Sequence, residues 1–253
     1  MPQLNFETHG DKSNPAVMLV HGFMSCNAQW WLNRDALSER FFLVAVELWG
    51  HGGSPEPGDA TYYSIAAYVE QFDAIRASLG LKTWSLIGQS YGAGLALSYA
   101  CTHPEHTERV VVTNSRSAFG SLNAEDGAKP KESVSEKAFD PRALPYHPVH
   151  ARRFPEHVKT AMVEQADQIT ARAIKLGGMV GDLNFVERLD QVPVPVLLTN
   201  GKFEKRFQPE VEKLRNRYPD IKIAHLDGGH SVNVEAPDGF NSAVLDFLDG
   251  EAS

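Results

Sequence analysis

Trp84-Ser85-Leu86-Ile87-Gly88-Gln89-Ser90-Tyr91-Gly92-Ala93-Gly94-Leu95-Ala96-Leu97-Ser98-Tyr99-Ala100 is the stretch on which the reading of this chain turns. Its first four residues form an apolar, β-prone run, and residues 93–100 are small and apolar in a helix-like pattern. Gly88-Gln89-Ser90-Tyr91-Gly92 is therefore the turn between a strand and a helix. A serine at such an elbow must adopt a sharply turned, strained backbone, and glycines two before and two after it remove side chains that would collide across the turn. The hydroxyl is then held out where a base can reach it. Standing alone, a Gly-x-Ser-x-Gly pentapeptide also reads as an ordinary loop; its place between strand and helix makes Ser90 the candidate nucleophile.

Working outward, apolar runs recur at residues 17–20, 42–46, 110–112, 194–198 and 221–224, in alternation with helical patterns. Continuous apolar strands separated by helices predict an α/β fold with a mainly parallel sheet covered on both faces. The clearest helix begins near Ser64 and carries Ile65, Tyr68, Val69, Phe72, Ile75 and Leu79 at helical spacing, with Gly80 beyond its end. The alternation lapses between Ser115 and Val192. Residues 115–192 read as a helical lid inserted between two strands, opening with a polar, charged loop at 125–137 that Gly127 and Pro130 interrupt. Its main helix is predicted from Pro155 to Gly177-Gly178, with Val158, Met162, Ile169, Ala173 and Leu176 on one stripe. That stripe either docks on the core or touches substrate.

The 253 residues fit a single α/β domain over 1–253. A formal charge of −8 argues against a nucleic-acid surface and offers nothing to an anionic membrane, so a small molecule is the expected partner. Residues 1–15 show no basic start followed by an apolar core, and no run approaches the roughly 20 apolar residues of a membrane span. The expected location is cytoplasmic. Cys26 and Cys101 make no disulfide framework and read as small apolar residues.

A serine hydroxyl needs a base. His230, in Gly228-Gly229-His230-Ser231 just past the last strand run, is the candidate, because a loop there can carry an imidazole to the strand ends beside Ser90. His103 and His106 follow the helix after Ser90 and are expected to be exposed, while His225 falls within a strand pattern. A carboxylate must accept the other imidazole N–H, and Glu204 follows the run 194–198 and the turn Asn200-Gly201-Lys202-Phe203. Among Lys202, Lys205 and Arg206, Glu204 also reads as one half of a surface ion pair. For the charge that develops on a substrate carbonyl, backbone N–H donors are expected from Tyr91, at the start of its helix, and from Phe23 in His21-Gly22-Phe23-Met24.

The His21-Gly22-Phe23 loop, the turn Trp49-Gly50-His51-Gly52-Gly53-Ser54, the elbow at Ser90, the strand-turn-acid at Glu204 and the Gly229-His230 loop resemble, in order and spacing, the α/β-hydrolase superfamily. The resemblance spans nearly the whole chain. It implies an eight-stranded, mostly parallel sheet flanked by helices, a lid at about 115–192, and the triad order Ser90, Glu204, His230. The chain departs from the family pattern in two ways: Glu204 stands where Asp is commoner, and Glu47 with Trp49 replaces the usual residues before Gly-His-Gly. Some members carry the acid after the strand that follows the nucleophile, but Asn114, Ser115 and Arg116 offer no carboxylate there.

Met24, Trp49, Met162, Met179 and Phe185, with Phe23, Trp30, Trp31 and Tyr91, are large apolar residues on elements expected to border the site, and a subset of them is expected to line an apolar pocket. The expectation is a serine hydrolase that cleaves a carboxylic ester or thioester of a hydrophobic small molecule without a cofactor. The same fold also serves C–C bond hydrolysis, lactone opening, acyl transfer and a lyase of the kind that makes a menaquinone precursor. A ligand sensor that keeps an intact triad belongs to a different class, and the charged segment 124–138 would suit a partner-facing surface. Metal catalysis is not expected, since the proline in His147-Pro148-Val149-His150 spoils a helical ligand face. No Gly-rich phosphate loop with a lysine is present.

Overall fold

The computed structural model describes residues 2–120 and 139–250. The first half of the chain runs β1 (Phe6–His9), β2 (Ala16–Val20), α1 (Trp31–Ser38), β3 (Phe42–Val46), α2 (Ile65–Ser78), β4 (Trp84–Gly88), α3 (Tyr91–Thr102) and β5 (Thr107–Thr113). After it come α4 (Arg116–Phe119), α5 (Glu156–Ala166), α6 (Ala171–Gly177), β6 (Val196–Gly201), α7 (Gln208–Arg217), β7 (Lys222–Leu226), α8 (Val232–Glu235) and α9 (Pro237–Leu248). The strands form one sheet in the order β1-β3-β2-β4-β5-β6-β7, parallel throughout except for β1 against β3.

All six apolar runs of the sequence are strands of this sheet. The family resemblance implied eight strands, and the described residues form seven. β1 is the outer edge, and Gly10 and the turn after it lead straight into β2, so no further strand pairs beyond it among the described residues. β1 itself escaped the pattern because Phe6-Glu7-Thr8-His9 has one large apolar residue and sits half exposed at an edge.

Alternation along the buried strands builds two cores. Met18, Val20, Val44, Val46, Leu86, Val110 and Val112 pack with Phe72 and Ile75 of α2, with much of α3, and with Val211 and Leu214 of α7. Val17, Leu19, Leu43, Ala45, Ile87 and Val111 face the other way, onto Leu37 of α1 and Phe240, Val244 and Phe247 of α9. Both faces of each central strand are dry, which is why the runs read as continuously apolar. α2 starts where Ser64 predicts, with its hydroxyl accepting the Ala67 N–H.

The helix expected from Pro155 to Gly178 is two helices. α5 ends at Ala166, a tight turn through Gln168 and Ile169 follows, and Thr170 caps α6 by accepting the Ala173 N–H. A capping threonine within the stripe broke the helix that apolar spacing alone made continuous. The stripe does dock: Val158 and Met162 pack on Cys26, Ala28 and Val234, while Ile169 and Ala173 pack on Met24. Arg172 then fastens α6 to the loop before α2, donating to Glu56 and to the carbonyls of Pro57 and Gly58. The charged segments at 125–137 and 124–138 lie outside the described residues. No helix of the described residues is long and apolar enough to cross a membrane.

Phe72 is fully buried between α2 and the sheet, in ring contact with Tyr68 and Tyr99. Phe72→Ala should cost about 3–5 kcal/mol of unfolding free energy, read as a lower urea midpoint at unchanged slope.

Candidate active site

Ser90 is the residue between β4 and α3, and its backbone is held at φ +52°, ψ −113°. Only two described residues other than glycine have positive φ, Ser90 and Met24, and both border the same cavity. The end of β5 and the residues just after it brace the strained serine. Thr113 Oγ1 accepts its N–H at 3.2 Å, and Ser115 Oγ donates to its carbonyl at 2.7 Å. Gly92 is required by close approach, since a Cβ there would run into the carbonyls of Val20 and His21. Gly22 likewise lets the β2 loop lie against the elbow: a Cβ on it would stand 3.3 Å from that of Ser90 and inside the Gln89 amide.

His230, on the loop after β7, places Nε2 3.0 Å from Ser90 Oγ and Nδ1 3.1 Å from Glu204 Oε1. With its proton on Nδ1, the ring donates to the carboxylate and accepts from the serine hydroxyl. Glu204 points at His230 rather than at Lys202, Lys205 or Arg206. Its second oxygen accepts from Asn114 Nδ2 at 2.7 Å. Asn114 also donates to the Gly201 carbonyl and accepts the Gly201 N–H at 2.7 Å, so one side chain at the end of β5 sets the acid and anchors the turn that carries it. Burial opposes the imidazolium of His230, but the Glu204 hydrogen bond and the charges of Glu204 and Glu235 outweigh it and raise the His230 pKa above 6.5. Glu235 is itself buried and accepts the Gly229 N–H at 2.9 Å, which holds the loop just before His230.

Two other histidines hold the facing loop. His21 Nδ1 lies 2.7 Å from the Gly22 carbonyl while Nε2 accepts the Leu48 N–H; His51 Nδ1 lies 2.9 Å from the Trp49 carbonyl while Nε2 accepts the Met24 N–H at 3.2 Å. Each ring is thus a neutral tautomer with a donor and an acceptor both used. Burial pushes His21 down to about 4 and His51 down to about 3, in His51 with help from the neighbouring His21. Glu47, in place of the family's usual residue, accepts from Asn27 N, Gly53 N and Asn5 Nδ2 and so closes the Gly52-Gly53 turn. The backbone N–H groups of Phe23 and Tyr91 make no hydrogen bond among the described residues and stand beside Ser90 on the β2 loop and at the first turn of α3.

A cavity of about 590 Å³ opens over Ser90, Glu204 and His230. Phe23, Met24, Tyr91, Tyr146, Phe154 and Met162 give it apolar walls; Ser25, Gln29, Arg116, His147, His150 and Glu235 add polar ones. Met24 and Met162 thus lie where a pocket was expected, and three other expected residues do not. Trp49 is fully buried against Tyr62 and Tyr68, Phe185 is sealed in the core under the Arg188 guanidinium, and Met179 projects into solvent, 66% exposed. Size and hydrophobicity do not say which side of a loop a residue faces. The pattern also left out Tyr146, Phe154, Glu235 and the Thr113-Asn114-Ser115 brace. Only the brace had a sequence signal, three polar residues ending the apolar run 110–112.

A family model described as alpha/beta hydrolase fold matches residues 15–177. A carboxylesterase of Bacillus subtilis, YbfK, is 29% identical over 95% of this chain and 82% of its own length. Its crystal structure superposes with a TM-score of 0.79 at 23% identity, covering 99% of this chain and 89% of that one. An enol-lactonase of Burkholderia xenovorans superposes with a TM-score of 0.80 at 21% identity, covering 97% and 96%.

The His230 imidazole should titrate above 6.5 in the wild type, and Glu204→Gln should move that titration to lower pH, because burial still opposes the charge while the adjacent carboxylate is gone. Ring-proton NMR over a pH series measures both; an unmoved titration would mean that Glu204 does not face the ring in solution.

Proposed function

The chain belongs to the alpha/beta-hydrolase family, and from that premise we propose that it is a serine hydrolase cleaving carboxylic esters or thioesters of a hydrophobic small molecule. The observation that carries this is the unbroken relay from Ser90 Oγ to His230 Nε2 at 3.0 Å and from His230 Nδ1 to Glu204 Oε1 at 3.1 Å. A nucleophile, a base and an orienting acid in one line are the requirements of acyl transfer to serine.

In this reading Ser90 Oγ attacks the substrate carbonyl while His230 takes its proton, and Glu204 stabilises the imidazolium that forms. The carbonyl oxygen becomes an oxyanion between the unpaired N–H groups of Phe23 and Tyr91, which stabilise it by about 3–4 kcal/mol for each donor. His230 then protonates the departing alcohol or thiol, and the acyl group stays on Ser90. Water enters, His230 removes its proton, and the second tetrahedral intermediate collapses to the acid and free serine. The walls formed by Met24, Met162, Tyr146 and Phe154 favour an apolar substrate portion. The insertion at 115–192 serves as the lid in this scheme, and α6 within it is held at the mouth by the Tyr91 hydroxyl, which donates to the Gly177 carbonyl.

Intact-mass labelling with a fluorophosphonate, with a chain-length series of p-nitrophenyl esters and acyl thioesters, tests the proposal. One label per chain on the wild type and none on Ser90→Ala is expected, with turnover falling at least about 10³-fold in the variant. A wild type that neither labels nor turns over any member of the series would sink the hydrolase reading and favour a ligand-binding role.

A further inference from the structure

At the far end of α3 from Ser90, a second cluster gathers side chains that the proposed hydrolysis does not use. We infer that Asp73, His103 and His106 form a binding site for a divalent transition metal of the zinc type. Twelve helical residues separate this end from the nucleophile, about 18 Å at the rise of an α-helix, so the site is distinct from the cavity over Ser90.

The cluster arises from three elements. His103 ends α3, His106 closes the tight turn Pro104–His106 that leads into β5, and Asp73 projects from α2, which packs beside α3. One ligand atom from each of the three lies within 4.8 Å of the other two. Tetrahedral zinc with bonds of 2.0–2.1 Å holds its ligand atoms roughly 3.3 Å apart, so the groups need to close by at most about 1.5 Å. All three side chains are about a quarter to a third exposed and have room to do so.

The ring of His106 supplies an independent sign. Its Nδ1 is shielded from water and has no hydrogen-bond partner among the described residues, an arrangement that buried polar atoms rarely keep. Glu105 stands beside both imidazoles, 3.4 Å from His103 Nδ1 and 3.6 Å from His106 Nε2, and is placed as an outer partner of the two rings. The carbonyl end of α3 also favours a cation.

Arg76 is the opposing charge. It donates to both oxygens of Asp73, and Tyr99 adds a bond to Oδ1. Oδ2 accepts a single bond, at 3.2 Å, and keeps a lone pair for a metal. Asp73 and Glu105 together offset Arg76 and leave the cluster with one net negative charge while the imidazoles are neutral. Imidazole with carboxylate suits zinc, whereas calcium and magnesium prefer all-oxygen sites. The bound metal would join α2 to the α3–β5 connection and so stabilise the folded state by mass action.

The test uses the full chain without a histidine tag, stripped with EDTA and titrated with Zn²⁺ by calorimetry and thermal melting. One equivalent should bind and raise the melting temperature. His103→Gln and His106→Gln should each weaken binding by more than about tenfold and abolish the rise, while His157→Gln, at an exposed histidine of α5, should bind zinc as the wild type does. Should either variant fold poorly, Co²⁺ added to the wild type must broaden the ring protons of His103 and His106 ahead of those of the other histidines. No zinc binding by the wild type, binding undiminished in both folded variants, or broadening centred on other histidines would each overturn the site.

Discussion

The backbone of Ser90 is the constraint around which the molecule is organised. A non-glycine residue at φ +52° and ψ −113° costs on the order of 1–3 kcal/mol. Its N–H and carbonyl are bonded to Thr113 and Ser115, and two such bonds are worth about 0.5–1.5 kcal/mol each. The two magnitudes are comparable, so the end of β5 can hold the elbow in its strained form without help from a ligand. That requires β4 and β5 to be neighbours in the sheet, as they are. It also requires the start of α3 to press against the end of β2, where Gly92 leaves room for the carbonyls of Val20 and His21.

The loops facing Ser90 are held by polar groups that burial keeps uncharged or fully partnered. His21 and His51 act as neutral struts, each using one ring nitrogen to donate and the other to accept, and their depressed pKa values follow from being out of water. A second network couples the two sides of the cavity. Gln29, beyond the Phe23 loop, exchanges hydrogen bonds with Asn233, beyond the His230 loop, and Asn33 and Asn241 complete the set. In a buried setting each of these bonds is expensive to break singly, which makes the two loops behave as one unit.

Residues 145–178 wall the candidate cavity and supply none of the Ser90–His230–Glu204 relay. α5 and α6 bury Met162 and Ala173 against the loops that carry Cys26 and Met24, and segment 145–154 closes the cavity with Tyr146 and Phe154. Ser90, Glu204 and His230 sit on the turns and loops that follow β4, β6 and β7, strands that backbone hydrogen bonds fix in one sheet. Tyr146, Phe154 and Met162 of the cavity wall sit on connections that side-chain docking holds, so much of the wall and the Ser90–His230–Glu204 relay are carried by different parts of the chain.

The sequence by itself determined the parallel α/β core, because dry central strands must be apolar on both faces and the intervening helices must show a 3.6-residue period. It also put Ser90, His230 and Glu204 at the ends of strands, since each follows a strand run in a turn whose residues are unlike the runs around it. Only the tertiary structure decided that Glu204 faces His230, because Asn114, 90 residues away in the chain, turns it there. The sorting of Met24 and Met162 to the cavity, and of Trp49, Phe185 and Met179 away from it, was decided the same way. So was the edge strand β1, which has too little apolar surface to announce itself and is fixed by its pairing with β3. Local pattern reports that an element has an apolar face; which residues that face buries, and against which neighbour, depends on contacts between segments far apart in the chain, and no local period records them.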